Sequence, residues 1–271
     1  MQGKLELEIK VDQEEKSTIS RMNYRFPLKV MRPFYMDDIG TAFVYVFDTA
    51  GGMLAGDSSE YSIYIKKGAG LYLTNASTAK IHPMPEGNAH INQYFKIEEN
   101  ASLECFPEGT MLFRDSELKT QTHIHAHRNS VVAYCEMYAS GRKNTGETFE
   151  FRSLTNRIHL YIGGVLAIWE QSRMDMEREQ YARLGYLEGY SHWGNLYLYA
   201  GHDHDNHLTE LQTYLSTFDG PVRIGCSLHP SGVITLKALS YNYDEMKKAF
   251  NDIWSFMRPL MMKGELPYIR K

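Results

Sequence analysis

What this 271-residue chain lacks narrows it first. It has three cysteines, Cys105, Cys135 and Cys226, an odd number with no C-x-x-C spacing. That offers neither a disulfide framework nor a thiolate zinc site, and it predicts a reducing, cytoplasmic setting. There is no excess of positive charge: 29 Lys and Arg face 33 Asp and Glu, for a net charge of −4. Nucleic-acid binding needs clustered cations against phosphate, so that class is not expected. There is no long apolar run either. The longest, "IHLYIGGVLAIW" at 158–169, is broken by Gly163 and Gly164 and is too short for a bilayer. The charged opening "MQGKLELEIKVDQEEK" has no apolar core of a signal peptide. Neither membrane insertion nor export is expected.

A nucleotide loop is also missing. Residues 46–67, "VFDTAGGMLAGDSSEYSIYIKK", crowd Gly51, Gly52 and Gly56 ahead of Asp57. A dinucleotide fingerprint is G-x-G-x-x-G opening a helix, and a P-loop needs Lys-Ser/Thr after its last glycine. Here the spacing is G-G-x-x-x-G-D, and Tyr61, Ile63 and Ile65 then alternate with Ser62, Tyr64 and Lys66. That period of two is a strand. The glycines therefore read as a loop between strands, supplying positive φ. No G-x-S-x-G and no Cys–His signature marks a nucleophile.

What is present is aromatic and strand-like: 19 Tyr, 12 Phe and 3 Trp, residue types that favour sheets. Leu5, Leu7, Ile9 and Val11 alternate with charges, and strand-like runs recur to about residue 171, separated by turns at Lys67-Gly68, Glu99-Asn100, Glu108-Gly109 and Asn144–Gly146. This predicts a mainly β, stacked architecture with an antiparallel texture, in one domain over 1–271. Helices are expected late. Residues 207–218 place Leu208, Leu211, Leu215 and Phe218 on one face; residues 244–259 place Met246, Ala249, Phe250, Ile253, Trp254 and Met257 on one face, ending at Pro259. A third, polar helix is expected over 172–184.

Two histidine groups are candidates for metal. His123, His125 and His127 share one face of a strand, and the next acid, Glu136, lies too far on for a cupin pattern. The alternative is a solvated sheet face. "GHDHDNH" gives His202, His204 and His207, similar to the H-x-H-x-D-H loop of the metallo-β-lactamase fold, but only His229 remains downstream as a further ligand. The alternative there is a polar loop capping the next helix through Asp205 or Asn206. A β-rich metallohydrolase using His202, His204 and His207 is the runner-up function.

Five segments in order carry a resemblance. They are G-G-x-x-x-G-D ending at Asp57, "TNASTAKIHP" with Thr74 and Lys80, "LECFPEGTMLF" with Glu104, "GRKNTGETFEF" with Arg142 and Glu147, and the closing "IWSFMRPLMMKGELPYIRK". Together they resemble the urease accessory protein D family over nearly the whole chain. Ala55, Asn75 and Ser77 depart from its pattern, and Tyr268 and Arg270 stand where the family ends in Pro-Arg-x-Trp. The resemblance implies a two-layer, solenoid-like stack of antiparallel and mixed strands with a few helices, mostly C-terminal. It implies a non-catalytic maturation factor without a tightly bound cofactor, a member of a hetero-oligomer. Its partners would be apo-urease, the accessory F protein and, through it, the nickel-binding GTPase G protein. It also implies transient Ni²⁺ in a water-filled passage. Such a route must admit its ion and release it, which suits carboxylates better than a His₃ cage. The candidates are Asp57, Glu104, Glu136 and Glu147. Asp57 reads either as lining that passage or as capping its turn, and Arg142 with Glu147 either as passage residues or as a salt bridge bracketing the Gly141–Gly146 hairpin.

Overall fold

The computed structural model describes residues 1–178, 181 and 183–267, and of Asn144 only the backbone. The chain winds between two sheets. β1 (Gln2–Val11) and β2 (Ser17–Arg25) open the first sheet as a hairpin, and β3 (Leu28–Val30) and β4 (Ala42–Asp48) open the second. β5 (Ser58–Ile65) returns to the first, β6 (Gly70–Asn75) and β7 (Ala79–Ile81) to the second, and β8 (Ala89–Ile97) to the first. β9 (Ser102–Cys105) and β10 (Thr110–Leu112) follow in the second, β11 (Glu117–Ala126) in the first, and β12 (Val131–Ala139) in the second. β13 (Ser153–Ile162) and β14 (Val165–Asp175) finish the first sheet; β15 (His192–Ala200), helix α1 (His204–Ser216), β16 (Arg223–Leu228), β17 (Ile234–Ser240) and helix α2 (Tyr243–Met261) complete the chain.

The first sheet has the order β14-β13-β11-β8-β5-β1-β2, and the second runs β16-β17-β15-β12-β9-β6-β4-β3 with β7 and β10 beside it. The mainly β, two-layer stack is as expected, but the antiparallel texture holds only at the margins. β5, β8, β11 and β13 are all parallel neighbours, as are β4, β6, β9 and β12. The reason is the winding. Each turn of the coil lays one strand in the first sheet and one main strand, twice followed by a short companion (β7, β10), in the second, so the next main strand in the same sheet runs the same way. The crossover that parallel pairing requires is supplied by a strand of the opposite sheet. Antiparallel pairing returns where the coil stops, in β1–β2, β13–β14 and β15–β17.

Period-two alternation builds the inner layer. Leu5, Leu7 and Ile9 are buried while Glu6 and Glu8 face outward, and the inward residues of both sheets form one core. The opposite face of the second sheet is covered by the helices. Met246, Phe250, Ile253, Trp254 and Met257 of α2 pack on Ala133, Cys135, Leu196, Leu198 and Leu236. The face expected for this helix is the buried one, but its ends differ. Asn242 caps it, its side chain accepting from the amides of Asp244 (2.8 Å) and Glu245 (3.4 Å), and it continues past Pro259, which lies in the last turn, to Met261. α1 starts at His204, before the expected start, behind Asp203 in a left-handed conformation and without a side-chain cap. Asp205 instead places its charge in the first turn, where the helix dipole favours an anion, and Phe218 lies beyond the helix. The expected helix over 172–184 is not formed among the described residues: Ser172–Asp175 belong to β14, and turns follow. Glu179, Gln180, Ala182, Tyr268 and Arg270 lie outside the described residues.

Candidate functional site

A cavity lies between the sheets where β6, β9 and β12 face β5, β8 and β11. It is lined by Tyr61, Thr74, Glu108, Thr120, Tyr134 and Glu136, among others. A smaller cavity, lined by Asp48, Gly51, Gly52 and Lys80, adjoins it through the shared residues Tyr61, Asn75, Ala79 and Ile91. The two together lead from the exposed Lys80 into the stack, past walls that mix apolar side chains with hydroxyl, amide and carboxyl groups.

Glu136 is the acid at its inner end. It occupies an inward position of β12 between Tyr134 and Tyr138, and it is buried. Its Oε1 accepts from Nδ2 of Asn156 on β13 (2.6 Å) and of Asn195 on β15 (2.7 Å), and its Oε2 from the Tyr138 hydroxyl (3.3 Å). These donors are neutral. Burial pushes the Glu136 carboxyl up to about 7; the two asparagines pull against it, and nearby Glu170 adds to the rise. Burial and Glu136 likewise raise Tyr134 and Tyr138. The network runs on through Asn195, whose Oδ1 accepts from Lys237 Nζ (3.4 Å); Lys237 pairs with Glu170, which also accepts from Tyr197 (3.1 Å). Lys237 is exposed, so the polar line reaches the far margin of the stack. Chemically, a carboxyl with its pKa near neutrality and no cation beside it can exchange a proton for a metal ion without holding that ion tightly.

The other carboxylates do not join it. Glu104 alternates out of phase with the cavity-facing Cys105 and points toward α2. Trp254 Nε1 donates to it (2.7 Å), and Arg258 holds it with Nε (2.9 Å) and Nη2 (3.0 Å); Nη2 also reaches Asp37 (2.7 Å). Glu104 and Arg258 are fully buried. Burial opposes the Arg258 cation, and Glu104 with Asp37 outweighs it, so the guanidinium stays charged. Glu147 accepts from Arg142 (2.6 and 3.0 Å) and from the Arg114 amide (2.6 Å). Burial alone would raise it, but these donors hold it below the usual range, and Arg142 also stacks 4.4 Å from the Phe113 ring. Asp57 closes its own turn: its Oδ2 accepts from the Leu54 amide (2.8 Å), its Oδ1 pairs with the Met1 amino group, and its backbone amide bonds Leu54 O.

The glycines ahead of Asp57 have separate reasons. Gly52, at φ +140°, lies so close to β7 that a Cβ would stand 2.5 Å from His82 Nε2 and 2.7 Å from Lys80 O. Gly51 and Gly56 adopt φ +75° and +79° with open space around them. Thr74 is buried and donates to Phe106 O (2.7 Å).

The histidines remain apart. On the outer face of the first sheet, His123 meets His159 (ring centroids 4.8 Å), His125 stacks on Tyr161 (4.5 Å), and His127 Nδ1 accepts from the Asn129 amide. His204 Nε2 donates to Ala200 O (2.7 Å) and His207 Nε2 to Leu260 O (3.1 Å), while His202 meets only the edge of His207 among aromatic contacts. Among the described residues no group of three or more His, Cys, Asp or Glu is placed to hold a metal ion. That removes the geometric basis for the His202/His204/His207 centre. Sequence reasoning missed Glu108, which accepts from Tyr243 (2.9 Å) and Lys247 (2.7 Å), and Asn156 and Asn195. Each asparagine is a polar residue in the inward phase of an apolar strand, between Leu154 and Ile158 and between Trp193 and Tyr197; that signal was readable.

The comparisons agree with one another. The family model for the UreD urease accessory protein matches residues 1–271. The chain is similar to Urease accessory protein UreD of Bacillus cereus, 25% identical over 269 residues that cover 99% of this chain and 98% of the relative. It is also similar to the UreD proteins of Halalkalibacterium halodurans, 27% identical over 88% of each chain, and of Staphylococcus aureus, 23% identical over 99% of this chain and 97% of the relative. The chain belongs to the UreD family of urease accessory proteins: it serves urease maturation and is not itself an enzyme.

Proposed function

We propose that this protein bridges apo-urease to the accessory F protein and, through it, to the nickel-binding GTPase G protein, and that Ni²⁺ crosses it through the cavity between the sheets. The observation that carries the reading is Glu136, a buried acid facing the cavity, whose oxygens accept from the neutral donors Asn156, Asn195 and Tyr138. A transit site must bind weakly enough to release. Three imidazoles would retain nickel strongly, whereas one carboxyl that is half protonated near neutral pH gives a shallow well. Hydroxyls of Thr120, Thr122 and Tyr134 along the wall replace part of the ion's hydration. Ni²⁺ is cargo here, and no resident cofactor is required. Glu104, Glu147 and Asp57 serve the route indirectly, by fixing α2, the 141–147 hairpin and the 54–57 turn around it.

The test is a strain from which this protein is deleted. Its urease subunits should accumulate without nickel and without activity, and the wild-type chain should restore both. Full nickel content in the deletion strain under ordinary nickel supply overturns the reading.

A further inference from the structure

The margin of the stack at β2 combines a strand edge, exposed apolar side chains and cations. The first sheet ends at β2, and among the described residues the outer backbone edge of that strand has no partner beyond Ser17, whose amide donates to Gly40 O (2.8 Å). Residues 20–25 are exposed on both faces. Met22 and Tyr24 pair with Leu7 and Leu5, so they lie on the inward face of the sheet, where the second sheet does not cover them. Phe26, Met31, Phe34 and Tyr35 continue this apolar lip along the edge of the second sheet, and all six are 43–58% exposed. Exposed apolar side chains gathered along one margin are a mark of an interaction site, and a free strand edge is a template for a further strand.

The charge of the margin says what covers it. Residues 17–36 hold Arg21, Arg25, Lys29 and Arg32 and no acid, in a chain whose net charge is −4. Arg21 reaches Glu6 only at 4.0 Å, and Arg25, Lys29 and Arg32 make no ion pair among the described residues. Aromatic residues, Met and Arg are the types enriched in protein interfaces. A second copy of this chain would bring the same cations face to face. We infer that the free edge of β2, with the lip at 26–35, receives an extended, acidic and apolar segment of a partner protein as an added strand of the first sheet. For the choice of that partner the inference rests on the assembly reading above; the surface itself lies away from the cavity.

The experiment measures binding of the full chain to apo-urease and, separately, to the F protein, with three forms of this chain. They are the wild type, Arg25→Glu with Arg32→Glu, and Phe26→Ser with Phe34→Ser. All four positions are exposed, so melting temperatures should match the wild type. For one partner, the charge-reversed and the polar variants should each bind at least tenfold more weakly. Salt should weaken the wild type more than the charge-reversed form, and hydrogen exchange at residues 20–25 should slow in the wild-type complex. Wild-type affinity in both variants, with unchanged exchange at 20–25, overturns the inference and leaves the assembly reading standing. Failure of the wild type to bind either partner overturns both. Two results would reassign the margin and overturn the inference: variant-sensitive binding to phosphatidylglycerol vesicles without protein binding there, or a wild-type dimer in sedimentation that the variants abolish.

Discussion

At the scale of single residues, Gly52 and Glu136 carry the sharpest expectations. Gly52→Ala forces a Cβ against the His82 ring and the Lys80 carbonyl at a positive φ; the loss of stability should be about 2–3 kcal/mol, read as a lower melting temperature. Gly56→Ala meets open space and should cost only the left-handed strain, about 1–2 kcal/mol. Equal losses at the two positions would contradict the close approach of the loop to β7. Glu136 makes stability depend on pH. Its carboxyl keeps its proton to about 7 in the fold against 4.5 as the ordinary value. Between those values the unfolded chain releases its proton first, so rising pH favours unfolding, by on the order of 3 kcal/mol once above 7. Glu136→Gln removes that dependence. Relative to the variant, the wild type should lose stability between pH 5 and pH 8 in urea titrations; a constant difference would contradict the buried, uncompensated carboxyl. The sequence singled out Glu136 as one acid of four and could not rank them. The phase of a strand tells which residues share a face, not which face meets a cavity. Asp57 shows a related limit: its glycines were legible as a loop and its bond to the Leu54 amide is local, but its second partner, the Met1 amino group, lies 56 residues away.

At the scale of elements, α2 is held by both packing and charge. Trp254→Ala empties a fully buried site and removes the indole bond to Glu104, for an expected loss of about 3–5 kcal/mol. Arg258→Met should cost a similar amount, about 3–5 kcal/mol, because it strands Glu104 and Asp37 without their cation. Adding Glu104→Gln to Arg258→Met should then recover part of the loss in denaturant unfolding. Strictly additive losses would mean that the two side chains do not share one interaction. The apolar face of α2 was fully legible from its 3.6-residue spacing, and the motif residues Glu104, Trp254 and Arg258 were each visible. Their meeting was not, since it joins residues 154 apart. The ends were less readable. Pro259 suggests a stop, but only two residues follow it before the helix ends at Met261, so it costs α2 its own amide bond without ending the helix on the spot, and the start of α1 lacks the side-chain cap that a sequence search looks for.

At the scale of the whole molecule, the sequence disclosed a stacked β architecture but not its parallel winding. An amphipathic strand alternates identically whether its neighbour runs with it or against it. Strands adjacent in the first sheet, such as β5 and β8, are separated in sequence by strands of the other sheet, here β6 and β7. That winding is what opens a cavity between layers and brings Glu136 of one sheet against Asn156 of the other. The most direct test of the account is the nickel content of urease matured in cells carrying Glu136→Gln in place of the wild-type chain. With the variant folded and still bound to apo-urease and the F protein, the account predicts urease with at least several-fold less nickel and correspondingly less activity. Urease fully loaded with nickel in those cells would contradict it.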